Sequence, residues 1–184
     1  MNPAAVNVPP PGPVTPVSAA PVLSEASSQA LYALIAQQPF FKGLKTQQLQ
    51  LLADSALEMK FETGAILFEE GSPANRFYLI LEGRVVLTSE MEDRSVIPVQ
   101  TLGPGDELGW SWLFPPYALH FSACALEPTT TIFFYAPRLR EQCEQDHELG
   151  YQIMKRIAEV TTQSLRATQR RLMQYIDKHT PEKP

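Results

Sequence analysis

Between Phe61 and Phe134 the chain is cut into short β-rich runs, and a turn signal stops each one before it reaches helical length. The runs are Ala65–Phe68, Phe77–Leu81, Val85–Thr88, Val96–Leu102, His120–Ala125 and Thr130–Phe134. Between them stand Gly64, Gly71-Ser72-Pro73, Glu82-Gly83, Glu92-Asp93-Arg94, Gly103-Pro104-Gly105-Asp106 and Glu127-Pro128. Glycine and proline at such spacing reverse the chain, so neighbouring runs must pair as antiparallel strands. Many short strands in series predict a small antiparallel jelly roll or barrel.

Helical patterns flank this block. Leu31, Leu34 and Ile35, then Leu49, Leu52 and Leu57, recur at helical spacing around Pro39 and Gly43. They predict short helices over 27–37 and 47–56, with Thr46 as the N-cap of the second. Pro137 suits a first turn, so a helix is expected over 137–145. Asp146 is the expected N-cap of a final helix over 147–178, about 48 Å long at 1.5 Å per residue. Its apolar positions Leu149, Ile153, Ile157, Val160, Leu165, Leu172 and Ile176 form a stripe that needs a partner. A second copy of the chain is the favoured partner, with packing back on the barrel as the alternative. The fold class is therefore α+β: an antiparallel β-roll, or double-stranded jelly roll, with short N-terminal helices and a long C-terminal dimerisation helix. The expected divisions are a tail over 1–26, the roll with its flanking helices over 27–146, the long helix over 147–178 and an end segment over 179–184.

Residues 1–23 carry seven prolines and no charge. Proline removes amide donors and fixes φ, so this stretch is expected to be a solvated tether. It lacks the basic start and unbroken apolar core of a secretory signal, and no membrane span is expected. Cys124 and Cys143 are the only cysteines of the 184 residues. Two cysteines without a leader predict a cytoplasmic protein with reduced thiols. Up to residue 135 there are 6 Lys/Arg against 13 Asp/Glu, and after it 9 against 7, which together give the net charge of −5. That balance supplies little drive toward nucleic acid.

Phe61–Leu87, FETGAILFEEGSPANRFYLILEGRVVL, followed by Leu102-x-x-Gly105-Asp106-x-Leu108-Gly109, resembles the cyclic-nucleotide-binding β-roll. That roll occurs in the catabolite-activator family, protein-kinase-A regulatory subunits and gated channels. Gly64, Gly71 and Gly83 sit at reversals where positive φ is expected. The resemblance covers about residues 27–178 and implies a phosphate-binding cassette around Gly109. In members that bind cyclic nucleotides, a glutamate directly after the cassette glycine holds the ribose 2′-hydroxyl. An arginine about ten residues further on neutralises the phosphate. Here Trp110 stands in the first place, and the second window is Ala118-Leu119-His120-Phe121. No Lys or Arg occurs from residue 95 to 137. The resemblance therefore implies altered or lost cyclic-nucleotide binding. Gly109–Tyr117, GWSWLFPPY, is also similar to a run in a subgroup of stand-alone bacterial domains without a DNA-binding module.

The candidate ligand-binding residues are Leu108, Gly109, Trp110, Ser111, Trp112, His120, Phe121 and Ser122, together with Thr161 and Ser164 on the long helix. Backbone amides after Gly109 can cradle an anion. Trp110, Trp112, Phe114, Tyr117 and Phe121 either form a platform for a flat ligand or plug the emptied cavity as core. The ligand, if present, is a cyclic nucleotide or another small phosphate or aromatic molecule. His120, His147 and His179 are too scattered for a metal site, and no nucleophile, base and orienter recur together. The chain is read as non-catalytic. Only six residues follow Lys178, so no winged helix is expected and direct DNA binding is not. Two functions remain open: a sensor or regulatory module acting through protein partners, or an assembly subunit with a self-filled pocket. A true cyclic AMP or cyclic GMP binder that uses backbone amides is the third reading.

Overall fold

The computed structural model describes residues 25–179. Its helical elements are α1 (Glu25–Gln37), a 3-10 turn at Pro39–Phe41, α2 (Thr46–Ala53), a 3-10 helix at Trp110–Leu113, α3 (Ala136–Gln145) and α4 (His147–His179). The strands are β1 (Ala56–Phe61), β2 (Ile66–Phe68), β3 (Arg76–Glu82), β4 (Val85–Glu90), β5 (Val96–Leu102), β6 (Glu107–Leu108), β7 (Ser122–Ala125) and β8 (Thr129–Tyr135). They pair antiparallel in two four-stranded sheets, ordered β1-β8-β3-β6 and β2-β7-β4-β5. The expected α+β roll is the observed fold. Gly64, Gly71 and Gly83 have φ of 83°, 76° and 87°, the left-handed values that their turns demand.

Side-chain alternation along β3 divides the core into two layers. Tyr78 points into the roll, where its ring lies 5.9 Å from Phe61 and stacks at 6.2 Å on Phe68 of the opposite sheet. Phe77 points to the other face and packs 5.4 Å from Phe40, 5.8 Å from Phe134 and 6.0 Å from Trp112. The first sheet is therefore covered on both faces, by the second sheet and by the helical layer.

Two strands depart from the sequence expectation. β1 occupies Ala56–Phe61, where the expected second helix would have ended at residue 56; α2 stops at Ala53. β1 is an outer strand with interior positions only half-buried or exposed, so its apolar residues keep no clean alternation. β6 has two residues, too few for any period to register. Thr46 is the first helical residue, with Lys45 at the N-cap; the Lys45 amide donates to Gln48 Oε1 at 3.0 Å. Glu25 and Ala26 open α1 rather than closing the expected tail; the rest of that tail and residues 180–184 lie outside the described residues.

Asp146 sits at the α3–α4 junction. Its Oδ1 accepts the amides of Glu148 and Leu149 at 3.0 Å, and its Oδ2 accepts Gln48 Nε2 at 2.8 Å. The Gln48 hydrogen bond, followed by the Leu149 amide, holds the Asp146 carboxyl below its usual range. The stripe on α4 splits. Leu149, Ile153 and Ile157 are buried against their own chain, whereas Leu165 and Leu172 are exposed. No helix among the described residues is long and apolar enough to cross a membrane.

Candidate ligand-binding site

A cavity of about 730 Å³ wraps around β6, the edge strand of the first sheet. That volume lies within the range of about 300–1,000 Å³ common for small-molecule sites. Its wall comes from five sources: Pro39 and Phe40 of the 3-10 turn, the cassette residues 105–111, Leu119–Phe121, residues of β2, β4 and β5, and one side of α4.

Gly109 turns the chain out of β6 at φ 81°. A Cβ there would collide with the Arg76 carbonyl, so both the backbone angle and the close approach require glycine. The turn sends Trp110 into the cavity wall, half-buried, with its ring 6.0 Å from that of His120. Leu108, Ser111 and Phe121 share that wall, as do Thr161 and Ser164 from α4. The Thr161 hydroxyl is already committed to its own helix, donating to the Ile157 carbonyl at 2.7 Å.

Two candidate residues lie outside the cavity wall. Trp112 points away from the cavity and is fully buried against Phe77, between the roll and α3. A four-residue 3-10 helix separates neighbouring side chains by about 120°, so Trp110 and Trp112 cannot share a face. Ser122 begins β7, and its Oγ accepts the Glu70 amide at 2.9 Å, joining β7 to the β2–β3 turn. Trp112 nonetheless matters to the site. Its carbonyl accepts Arg140 Nη1 at 2.7 Å, and the Arg140 guanidinium lies 4.2 Å over the Tyr117 ring. One arginine of α3 thus grips the cassette loop at both ends.

Sequence reasoning missed the residues that set the charge of the cavity. Glu107 is buried at 9% exposure and lines it. Burial first, and the neighbouring Asp106 second, push its carboxyl up to about 7. The signal available was an acidic residue beside Leu108 in a pair of strand residues, just past the Gly103-Pro104-Gly105-Asp106 turn. Arg156 and Arg170 are the cationic side chains on the wall among the described residues, and both come from α4 rather than the cassette. Arg156 is engaged with the Lys42 carbonyl and lies 3.5 Å from Glu159. Its place on the wall follows from tertiary packing, which no local pattern encodes. No group of metal ligands occurs among the described residues. Both cysteines are free and buried, and burial pushes Cys143 up to about 12, which keeps it an unreactive thiol.

The cyclic nucleotide-binding domain profile matches residues 58–146. A crystal structure of a candidate cyclic nucleotide-binding protein from Geobacter metallireducens GS-15 is 32% identical, covers 76% of this chain and 98% of that one, and superposes with a TM-score of 0.65. A CRP-like cAMP-activated global transcriptional regulator of Mycobacterium tuberculosis is 24% identical over 125 residues, 68% of this chain and 56% of that protein. The chain thus spans about half the length of that curated relative. The regulatory subunit of a cAMP-independent protein kinase A from Trypanosoma brucei shares the fold at 22% identity and TM-score 0.62, over 73% of this chain and 48% of that one.

Proposed function

The chain belongs to the cyclic nucleotide-binding domain family, and we propose that it is a cytoplasmic, non-catalytic regulatory module with altered cyclic-nucleotide binding. The observation that carries this reading is the cassette wall, where Trp110 follows Gly109 and no Lys or Arg stands between residues 95 and 137. A cyclic phosphate placed there would lose its charge-assisted partner, which is worth about 1.5–3 kcal/mol, or roughly ten- to a hundredfold in affinity. A regulator of this fold named cAMP-activated and a kinase subunit named cAMP-independent both occur among its relatives, so the fold accommodates either behaviour. The self-filled pocket is disfavoured, because Trp112 packs into the helical layer and the cavity beside Trp110 stays open.

The signal would leave through α4, whose inner side lines the cavity. Along the helix Tyr151, Met154, Ala158, Thr161, Leu165, Thr168 and Leu172 recur alternately three and four residues apart, and of these Thr161, Leu165 and Thr168 also border the cavity. Tyr151, Met154, Leu165 and Leu172 are each more than half exposed. A largely apolar seam at that period suits a parallel helix pair, so the module is read as a homodimer through 147–178 that acts on a protein partner.

The test is thermal unfolding with cyclic AMP, cyclic GMP and the corresponding nucleosides. A ligand at a hundred times its dissociation constant adds about 2.7 kcal/mol of stability. The expected result is no stabilisation by cyclic AMP in the natural protein and a gain in the double variant Trp110→Glu, His120→Arg. Strong stabilisation of the natural protein by cyclic AMP would overturn the reading.

A further inference from the structure

We propose that Glu107 is the polar anchor of the cavity and that it selects a neutral nitrogen heterocycle with two adjacent N–H donors, the edge that guanine presents. The proposal rests on the reading of the cavity as a ligand site and names the chemistry that the site would take.

Glu107 pairs with Leu79 across the β3–β6 ladder, so both side chains lie on the same face of the first sheet. That face carries Phe77, which meets Phe40 of the helical layer. The carboxyl is therefore turned toward the gap between β6 and α4, and Leu108 toward the roll interior beside Tyr78. Apart from its own backbone amide, no group hydrogen-bonds or ion-pairs with the Glu107 carboxyl among the described residues. A carboxyl this buried, held by its own backbone amide, is costly to ionise, and proteins retain such groups where a ligand can supply further donors.

The groups around that gap narrow the choice. Asp106 and Glu159 are acidic and line the same cavity. Arg156, one of two α4 arginines on the wall with Arg170, is already bonded to the Lys42 carbonyl and to Glu159. An anion at Glu107 would meet carboxylates, so the ligand end that reaches it must donate hydrogen bonds. Pro39, Phe40 and Val160 give the gap apolar walls, which fit a flat ring. Above the pH of about 7 at which Glu107 ionises, its carboxylate accepts two parallel N–H donors side by side, as it does from a guanidinium, so the selection holds at about pH 8 and above. Guanine offers that pair from its ring N–H and exocyclic amine; adenine offers no adjacent pair.

The test is calorimetric titration of the full chain with guanosine, adenosine, cyclic GMP and cyclic AMP, for the natural protein, Glu107→Gln and Trp110→Ala. Thermal unfolding of each variant confirms that it folds. The expected result is tighter binding of guanosine than adenosine, with Glu107→Gln weakening guanosine about ten- to a hundredfold and leaving adenosine unchanged. The proposal is overturned if guanosine and adenosine bind alike, or if Glu107→Gln leaves guanosine binding intact while Trp110→Ala removes it. In those cases the cavity remains a ligand site and only the anchor is wrong. If none of the four molecules binds, the cavity reading falls and the anchor with it.

Discussion

Glu107 concentrates a conflict between burial and ionisation in one side chain. Its carboxyl is held near 7 by desolvation and by Asp106, far above the 4.5 of an exposed glutamate. A folded-state value above the unfolded one means that the folded protein holds the proton longer. The associated stability is full below about pH 4.5 and is lost as the pH rises through 7. A shift of that size corresponds to a loss on the order of 3 kcal/mol between those limits. Glu107→Gln removes the titration, so its melting temperature should fall less than that of the natural protein between pH 5 and pH 8. Melting curves of the two proteins across that range check it; parallel pH profiles would show that Glu107 is solvated after all. Gly109 and Trp110 were legible in the sequence because the Gly-Asp-x-Leu-Gly pattern marks them. Glu107 was not, because its importance comes from what it faces.

Among the elements, the cassette loop and α3 form one mechanical unit. Arg140 holds the Trp112 carbonyl and stacks over Tyr117, while Trp112 itself fills the space between the 3-10 helix and the roll. Since α3 runs directly into α4 through Asp146, the Arg140 contacts connect the loop to the start of the long helix. Arg140→Ala should remove a charge-assisted hydrogen bond and a cation–π contact, costing about 2–3 kcal/mol in total. Amide hydrogen exchange should rise in residues 110–119 ahead of the rest of the roll. Uniform protection in the variant would mean that Trp112 alone seats the loop. Arg140→Lys should recover little, since an ammonium neither stacks nor reaches as a planar fork. Strands β2, β3, β4, β5, β7 and β8 could be read from β-rich runs between turn signals. β1 and β6 could not, because an outer strand and a two-residue strand carry too little period.

For the molecule as a whole, α4 is buried along its first half and carries exposed apolar residues further on. Leu149, Ile153 and Ile157 complete the core of their own chain. The seam through Leu165 and Leu172 is exposed, and the proposed homodimer would cover it with a second copy. The double variant Leu165→Glu, Leu172→Glu places charges on that seam and leaves Leu149, Ile153 and Ile157 in place, although Leu165 also borders the cavity. Light scattering after size exclusion should report a dimer for the natural chain and a monomer for the variant, with the circular dichroism of the roll retained. A natural chain that runs as a monomer would leave the seam to a different partner.

Turn signals and the β-rich runs between them, written between Phe61 and Phe134, were enough to predict the roll, since glycine angles and strand propensity are local properties. The same locality exposed the missing charges of the cassette. Which of two tryptophans faces the cavity, which arginines line it and where a carboxyl is buried were decided by tertiary structure alone. Those outcomes depend on residues such as Glu107, Arg140 and Arg156 meeting elements far away in the chain, and only packing brings them together.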